Sequence, residues 1–180
     1  MNRLITSQEA LELLWKAGCS PQVIQHCQMV SNLAVKLARK QRQGKIKVNI
    51  PLVRIGGLLH DIGRSKTHTI THAIVGVDIA QSENLPPSII QIIERHIGSG
   101  ISIDEAEKLN LPKKSYIPET LEEKLVSYAD KLIEGNLEIR FDEALHRYIL
   151  KFGESSVMVK RLQQLHSELQ QGSEELLSKC

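Results

Sequence analysis

His60 and Asp61 stand side by side in the string Gly57-Leu58-Leu59-His60-Asp61-Ile62-Gly63-Arg64, and imidazole nitrogen with carboxylate oxygen is a donor pair that suits Zn, Mn or Fe. The segment before them, Ile50 to Leu59, is almost all apolar apart from Arg54. The pair is therefore carried toward the interior, where an unpartnered carboxylate is costly. A divalent cation removes that cost, and so does an ordinary buried His-Asp hydrogen bond. The dipeptide alone leaves both readings open.

The elements that must position this pair read as helices. Thr6-Ser7-Gln8-Glu9 has capping-box spacing before an apolar run that Gly18 ends, which predicts a helix over 7–17. Ser20-Pro21 opens a second helix running to about Gln43, with Val23, His26, Cys27, Val30, Leu33, Ala34 and Leu37 on one inward face. Asn49 and Pro51 open a third, on which Gly56 and Gly57 thin the face that carries His60. A polar loop with His68 follows, then a helix from about Thr71 that turns His72, Val75, Gly76 and Ile79 inward. Pro86-Pro87-Ser88 precedes a short helix with Ile89, Ile92, Ile93 and His96 on one stripe, ended by Gly98-Ser99-Gly100. Residues 102–110 form a small acidic helix and 111–118 an extended loop. Thr120 to Glu123 is a second capping box, opening a helix whose apolar face holds Val126, Ala129, Asp130 and Ile133. Two amphipathic helices, 141–152 and 155–171, bring no further ligand cluster, and Ile46 to Ile50 is a connector. The domain reading is residues 1–135, with a core of about 20–135, and a helical extension over 136–180 packed on the same core.

A chain of 180 residues with 41% hydrophobic, 24% charged and only 3% aromatic residues is long enough to bury an aliphatic core. The formal charge of +2 is too mild for a nucleic-acid footprint. No membrane-length apolar run or leader pattern is present, so the expected address is the cytoplasm. Cys19, Cys27 and Cys180 form no CxxC pair, so neither a disulfide framework nor a zinc knuckle is expected.

Five polar residues, His26, His60, His72, His96 and Asp130, fall on the buried stripes of separate helices, and Asp61 adjoins one of them. Singly, each is an ordinary satisfied core residue. Together they make a poor core unless cations sit among them. His146 and His166 lack a carboxylate nearby and read as structural or solvent-facing, while His68 reaches a substrate only from its loop.

The order His26, His60-Asp61, Asp130, with the string His60-Asp61-Ile62-Gly63, resembles the HD-domain superfamily of metal-dependent phosphohydrolases in its HDIG subgroup, over roughly residues 20–135. The stretch Ile101 to Glu123 resembles a segment of small archaeal-type HDIG proteins. The resemblance implies an all-α fold, an HD-domain helical bundle with metals between helices. It implies a first divalent metal on His26, His60, Asp61 and Asp130, and a second on His72 and His96 with Asp61 bridging. The ions expected are Fe, Mn, Zn or Co, with Mg or Ni admissible. The reaction it implies is hydrolysis of a nucleotide or other small phosphoester by a metal-bound water, with Asp61 and Arg64 as catalytic residues. Arg64 is placed to meet phosphate, and Lys66, Lys113, Lys114 and Lys131 are further candidate contacts. Tyr116 stacks on a base or anchors packing. Ile97-Gly98-Ser99-Gly100 lacks the second histidine and Gly-Tyr-Pro string of cyclic di-GMP hydrolases, which argues against that substrate. The competing readings are a diiron HD-type oxygenase and a nucleotide-binding module without turnover. No membrane partner is expected.

Overall fold

The computed structural model describes residues 3–174, with side chains through residue 170, and Cys180 lies outside the described residues. The helices are α1 (Ser7–Ala17), α2 (Pro21–Gln43), α3 (Ile50–Leu59), α4 (His72–Ser82), α5 (Pro87–Arg95), α6 (Ile103–Lys108), α7 (Leu121–Lys131), α8 (Phe141–Phe152) and α9 (Val157–Glu174). A single 3-10 turn, Ile62–Ser65, follows α3. The all-α reading holds, and the predicted helix starts at Ser7, Pro21 and Phe141 coincide with the observed ones.

Capping explains these boundaries. Thr6 and Glu9 form the full reciprocal box, and Gly18 ends α1 in the left-handed region at φ 90°. Ser20 caps α2 with Pro21 at its first turn, and the Asn49 side chain accepts from Leu52 N to open α3. Thr120 caps α7, but the second capping box closes only halfway. The Glu123 carboxylate accepts instead from Glu119 N and pairs with Arg95, which ties α7 to the end of α5. A reciprocal box does form where none was predicted, between Ser102 and Glu105 on α6.

A second departure is a minimal antiparallel hairpin, with Ile133–Glu134 (β1) paired to Leu137–Glu138 (β2). Gly135 turns it at φ 55°. Gly135-Asn136 is a hairpin signal, but strands of two residues leave no alternation to read.

Two apolar clusters carry the bundle. One joins α1, α2, α3 and α5 through Leu14, Ile24, Leu59 and Ile93. The other joins α2, α7 and α9 through Val30, Ala34, Leu125, Ala129, Leu162 and Leu165. Burying a leucine such as Leu162 contributes roughly 1.5–3 kcal/mol, so α9 is held by the same core as α2 and α7. A third, smaller cluster around Ile97, Ile101 and Tyr116 anchors the loop after α5. Tyr116 is fully buried with its hydroxyl on Pro112 O, which makes it a packing anchor and removes it as a base-stacking surface.

Glycines set the closeness that the site needs. A Cβ at Gly57 would lie 2.7 Å from Ser31 Cα, so its absence lets α2 and α3 touch. A Cβ at Gly63 would lie 1.9 Å from the His72 carbonyl oxygen and 2.6 Å from Gly76 N. Both neighbours are α4 backbone and cannot rotate away. Gly63→Ala is therefore expected to cost at least about 3 kcal/mol, the upper part of the overpacking range, by urea denaturation. Retention of wild-type stability would contradict the close approach of the 3-10 turn to α4.

Candidate metal centre

His26 projects from the second turn of α2 and Asp130 from the last turn of α7. His60 and His96 each sit one residue past the ends of α3 and α5, and His72 is the first residue of α4. Three of these histidines are thus held at or just beyond helix ends. Asp61 precedes the 3-10 turn and is only 3% exposed.

The ring orientations follow from one repeated contact. Nδ1 of His60 lies 2.8 Å from Gly57 O, Nδ1 of His72 2.7 Å from Thr69 O and Nδ1 of His96 2.7 Å from Ile93 O. A carbonyl only accepts, so each Nδ1 carries the proton and donates it three residues back. For a neutral ring this leaves Nε2 as a bare lone pair. Such anchoring of the far ring nitrogen is what orients a metal-binding histidine.

Those lone pairs converge on Asp61. Its Oδ1 lies 3.2 Å from Nε2 of both His72 and His96, and these two nitrogens are 3.0 Å apart. Its Oδ2 faces the other way, 3.8 Å from His26 Nε2 and 3.7 Å from His60 Nε2. Asp130 Oδ1 closes that second side at 2.9 Å from His26 Nε2 and 3.4 Å from His60 Nε2. His60 Nε2 and Asp61 Oδ1 are buried without a hydrogen-bond partner. Two acceptor-rich groups result, His26-His60-Asp61 and Asp61-His72-His96, each with ligand atoms within 4.8 Å of one another. Asp61 belongs to both.

The electrostatics report the same demand for positive charge. Burial works against charge on His60, yet Asp61, Cys27 and Asp130 together hold it well above the usual imidazole range. Burial pushes His96 down to about 4, against its contact with Asp61 and aided by the charge on His60. Burial also opposes ionisation of Asp61, but His60, His72 and His96 outweigh it and keep the carboxyl well below its ordinary range. A proton satisfies one lone pair among several, whereas a divalent cation satisfies several at once. The donor set fits such ions: imidazole and carboxylate, with neutral rings pre-aimed.

Beside this centre lies a cavity of about 600 Å³. Arg64, His68 and Lys131 line it. Arg64 Nε donates to Asp61 Oδ2 at 2.5 Å, so its guanidinium is tied to the site's central carboxylate. Lys131 pairs with Asp130 and donates to His96 O at 3.1 Å. Lys66 is exposed and does not line the cavity. Lys113 pairs with Glu107 and Lys114 with Glu94, and neither lines it. These three lysines are thus not brought to the cavity, Lys113 and Lys114 being paired with acids on the surface. Conversely, the C-terminal extension brings Tyr148, Lys151, Phe152 and Met158 to the cavity, where sequence reasoning saw no contribution. The only signal was an aromatic pair four residues apart in an aromatic-poor chain. His146 is exposed, and His166 stacks on Phe141 at 3.5 Å and bonds Tyr128, so it is structural.

Residues 23–134 match the HD domain family. An uncharacterized protein of Methanocaldococcus jannaschii is 42% identical over 162 residues, covering 90% of this chain and 95% of that one. A tRNA (cytidine(56)-2'-O)-methyltransferase of Thermoplasma volcanium is 41% identical over 162 residues, covering 90% of this chain but 46% of that enzyme. This chain thus spans less than half of that relative. Among solved structures, the HD domain of the L. monocytogenes phosphodiesterase PgpH in complex with cyclic-di-AMP superposes with a TM-score of 0.56 at 18% identity, covering 93% of this chain and 96% of that one. The chain belongs to the HD-domain family. HD domains bind divalent metals, and the groups His26-His60-Asp61 and Asp61-His72-His96 could hold such ions. No helix among the described residues is long and apolar enough to cross a membrane.

Saturation with a fitting ion stabilises the fold by mass action, about 2.7 kcal/mol at a hundredfold excess over Kd. For a chain of this size that is a rise in melting temperature of roughly 5–10 °C. Differential scanning fluorimetry of chelator-treated protein with Mn, Zn, Co, Fe or Mg should show such a rise for at least one ion. Absence of any shift across the series would contradict the centre.

Proposed function

We propose that the chain hydrolyses a nucleotide or another small phosphoester at a two-metal site held by His26, His60, Asp61, His72, His96 and Asp130. The observation that carries this reading is the pair of acceptor-rich groups sharing Asp61, open to a cavity that also holds Arg64 and Lys131. His26, His60 and Asp130 serve one side of the Asp61 carboxylate, and His72 with His96 the other. Bound divalent cations supply Lewis-acid polarisation of a phosphoryl oxygen and a water acidic enough to react near neutral pH. Mn, Fe, Zn or Co suit these donors better than Mg.

The protein's own groups have separable tasks. The carbonyls of Gly57, Thr69 and Ile93 hold three imidazoles by Nδ1, so that their Nε2 atoms face Asp61. Arg64, 2.5 Å from Asp61, is a flexible cation that turns to a phosphate oxygen once the carboxylate is otherwise neutralised. Lys131 stays bound to Asp130 and the His96 carbonyl and orients both. The apolar residues around the centre keep bulk water from competing for these charges. The cyclic-di-AMP bound by the PgpH neighbour supports a nucleotide as the substrate class.

Phosphate release from a panel of nucleotides and simple phosphoesters, with each metal in turn, tests the reading. Turnover should be unchanged when oxygen is removed. Asp61→Ala should lower it by at least about 10³-fold and reduce bound metal, since the residue serves both groups. His72→Ala should halve the metal content while leaving the His26-His60 side occupied. Oxygen consumption in place of phosphate release would favour an oxygenase and overturn the proposal. Full metal content and full hydrolysis in His72→Ala would leave a mononuclear site.

A further inference from the structure

The chain has six Phe, Trp and Tyr residues in all, and two of them, Tyr148 and Phe152, line the cavity beside the metal centre. Three of the others have no part in it. Tyr116 and Tyr128 are buried and Phe141 packs on His166, all in the apolar clusters. Tyr148 and Phe152 are one helical turn apart on α8, with ring centroids 5.3 Å apart and planes tilted by 57°, so they present one continuous aromatic face. Phe152 ends α8 before Gly153, which leaves the helix at φ 85°, and it remains 38% exposed. A phenyl ring open at a cavity mouth is an apolar surface without a protein partner on that side. Tyr148 lines the cavity together with Asp130 and Lys131.

The cations of the cavity divide into two kinds. Arg64 and Lys131 are neutralised by Asp61 and Asp130. Lys108, from the end of α6, and Lys151, beside the aromatic pair, line the same cavity and are exposed. They pair with no carboxylate among the described residues. Lys151 Nζ sits 5.1 Å from the Phe152 ring centroid, a cation over an aromatic face. Glu105, the nearby acid of the cavity, is already bound by Arg161. Two ammonium groups without a carboxylate partner among the described residues therefore line the same cavity as the Phe152 ring, apart from the cations that pair with Asp61 and Asp130.

We infer that Tyr148 and Phe152 form the face on which the base of a nucleotide substrate stacks, and that Lys108 and Lys151 contact a phosphate of the same molecule other than the one cleaved. The preferred substrate thus carries a base and at least two phosphates. This assignment rests on the phosphohydrolase reading above and makes α6 and α8, outside the metal-ligand set, the determinants of specificity. Stacking on an aromatic side chain tolerates any base, because every base has a π face. Selection therefore falls on the presence of a base and the number of phosphates, and only weakly on which base.

The test is calorimetric titration of the Mn-loaded full chain with α,β-methylene ADP, α,β-methylene UDP, AMP and ribose 5-phosphate. The wild type should bind both methylene diphosphates more tightly than AMP, and ribose 5-phosphate least. Phe152→Leu keeps apolar bulk at a partly exposed position, where folding is not at risk, and removes the ring. It should weaken all three nucleotides roughly tenfold and leave ribose 5-phosphate unchanged. Lys108→Gln combined with Lys151→Gln should erase the preference for diphosphate over AMP, without changing metal content. Equal binding of ribose 5-phosphate and nucleotides by the wild type, or affinities unmoved by both variants, would overturn the inference. If the binding pattern appears as described while no phosphoester is hydrolysed, the inference stands as a nucleotide site and the phosphohydrolase reading fails instead.

Discussion

Three imidazoles whose outer nitrogens are committed to backbone carbonyls turn their inner nitrogens toward one buried carboxylate, an arrangement that calls for positive charge among them. In this protein the protons are fixed elsewhere by carbonyls three residues back, so the rings have no cheap way to turn and relieve the crowding. The close contacts at Asp61 Oδ1 and between His72 and His96 follow directly. Much of the surrounding structure can be understood as holding this arrangement in place. The glycines at 57 and 63 admit α2 and α4 to within contact of the His60-Asp61 corner. The Glu123-Arg95 tie fixes α7 against the end of α5. Apolar clusters on either side resist the relaxation that would let water into the gap.

The site also shows how a fold separates the charge that holds it together from the charge that recognises a ligand. Lys131 and Arg64 are committed to carboxylates of the centre, and their ammonium and guanidinium groups offset negative charge the rings cannot neutralise alone. Lys108 and Lys151 sit farther out on elements that donate nothing to the centre. A chain of +2 net charge thus concentrates usable cations at one opening without becoming broadly basic.

Much of the centre was legible in the sequence because helical periodicity reports which side of a helix faces inward. His26, His60, His72, His96 and Asp130 were placed by stripe alone, and the capping signals at Ser20, Asn49 and Thr120 located the helices that carry His26 and Asp130 and lead into His60. What periodicity does not report is a residue just beyond a helix end. His60 and His96 belong to that class, and their orientation depends on a carbonyl contact invisible in one dimension. The lysines at 113 and 114 misled for the same reason, since adjacency along a loop says nothing of which acid lies across the surface. The cavity's far wall escaped because α8 reads as an ordinary amphipathic helix. Only its position across from α6 turns Tyr148, Lys151 and Phe152 into cavity residues.

The most direct measurement is long-range proton-nitrogen correlation of the histidine side chains in the zinc-loaded protein. The account predicts that His60, His72 and His96 each carry their proton on Nδ1 and show an Nε2 resonance displaced by the ion. Nε2-protonated rings whose resonances ignore zinc would contradict the account, because the lone pairs on which the centre depends would not exist.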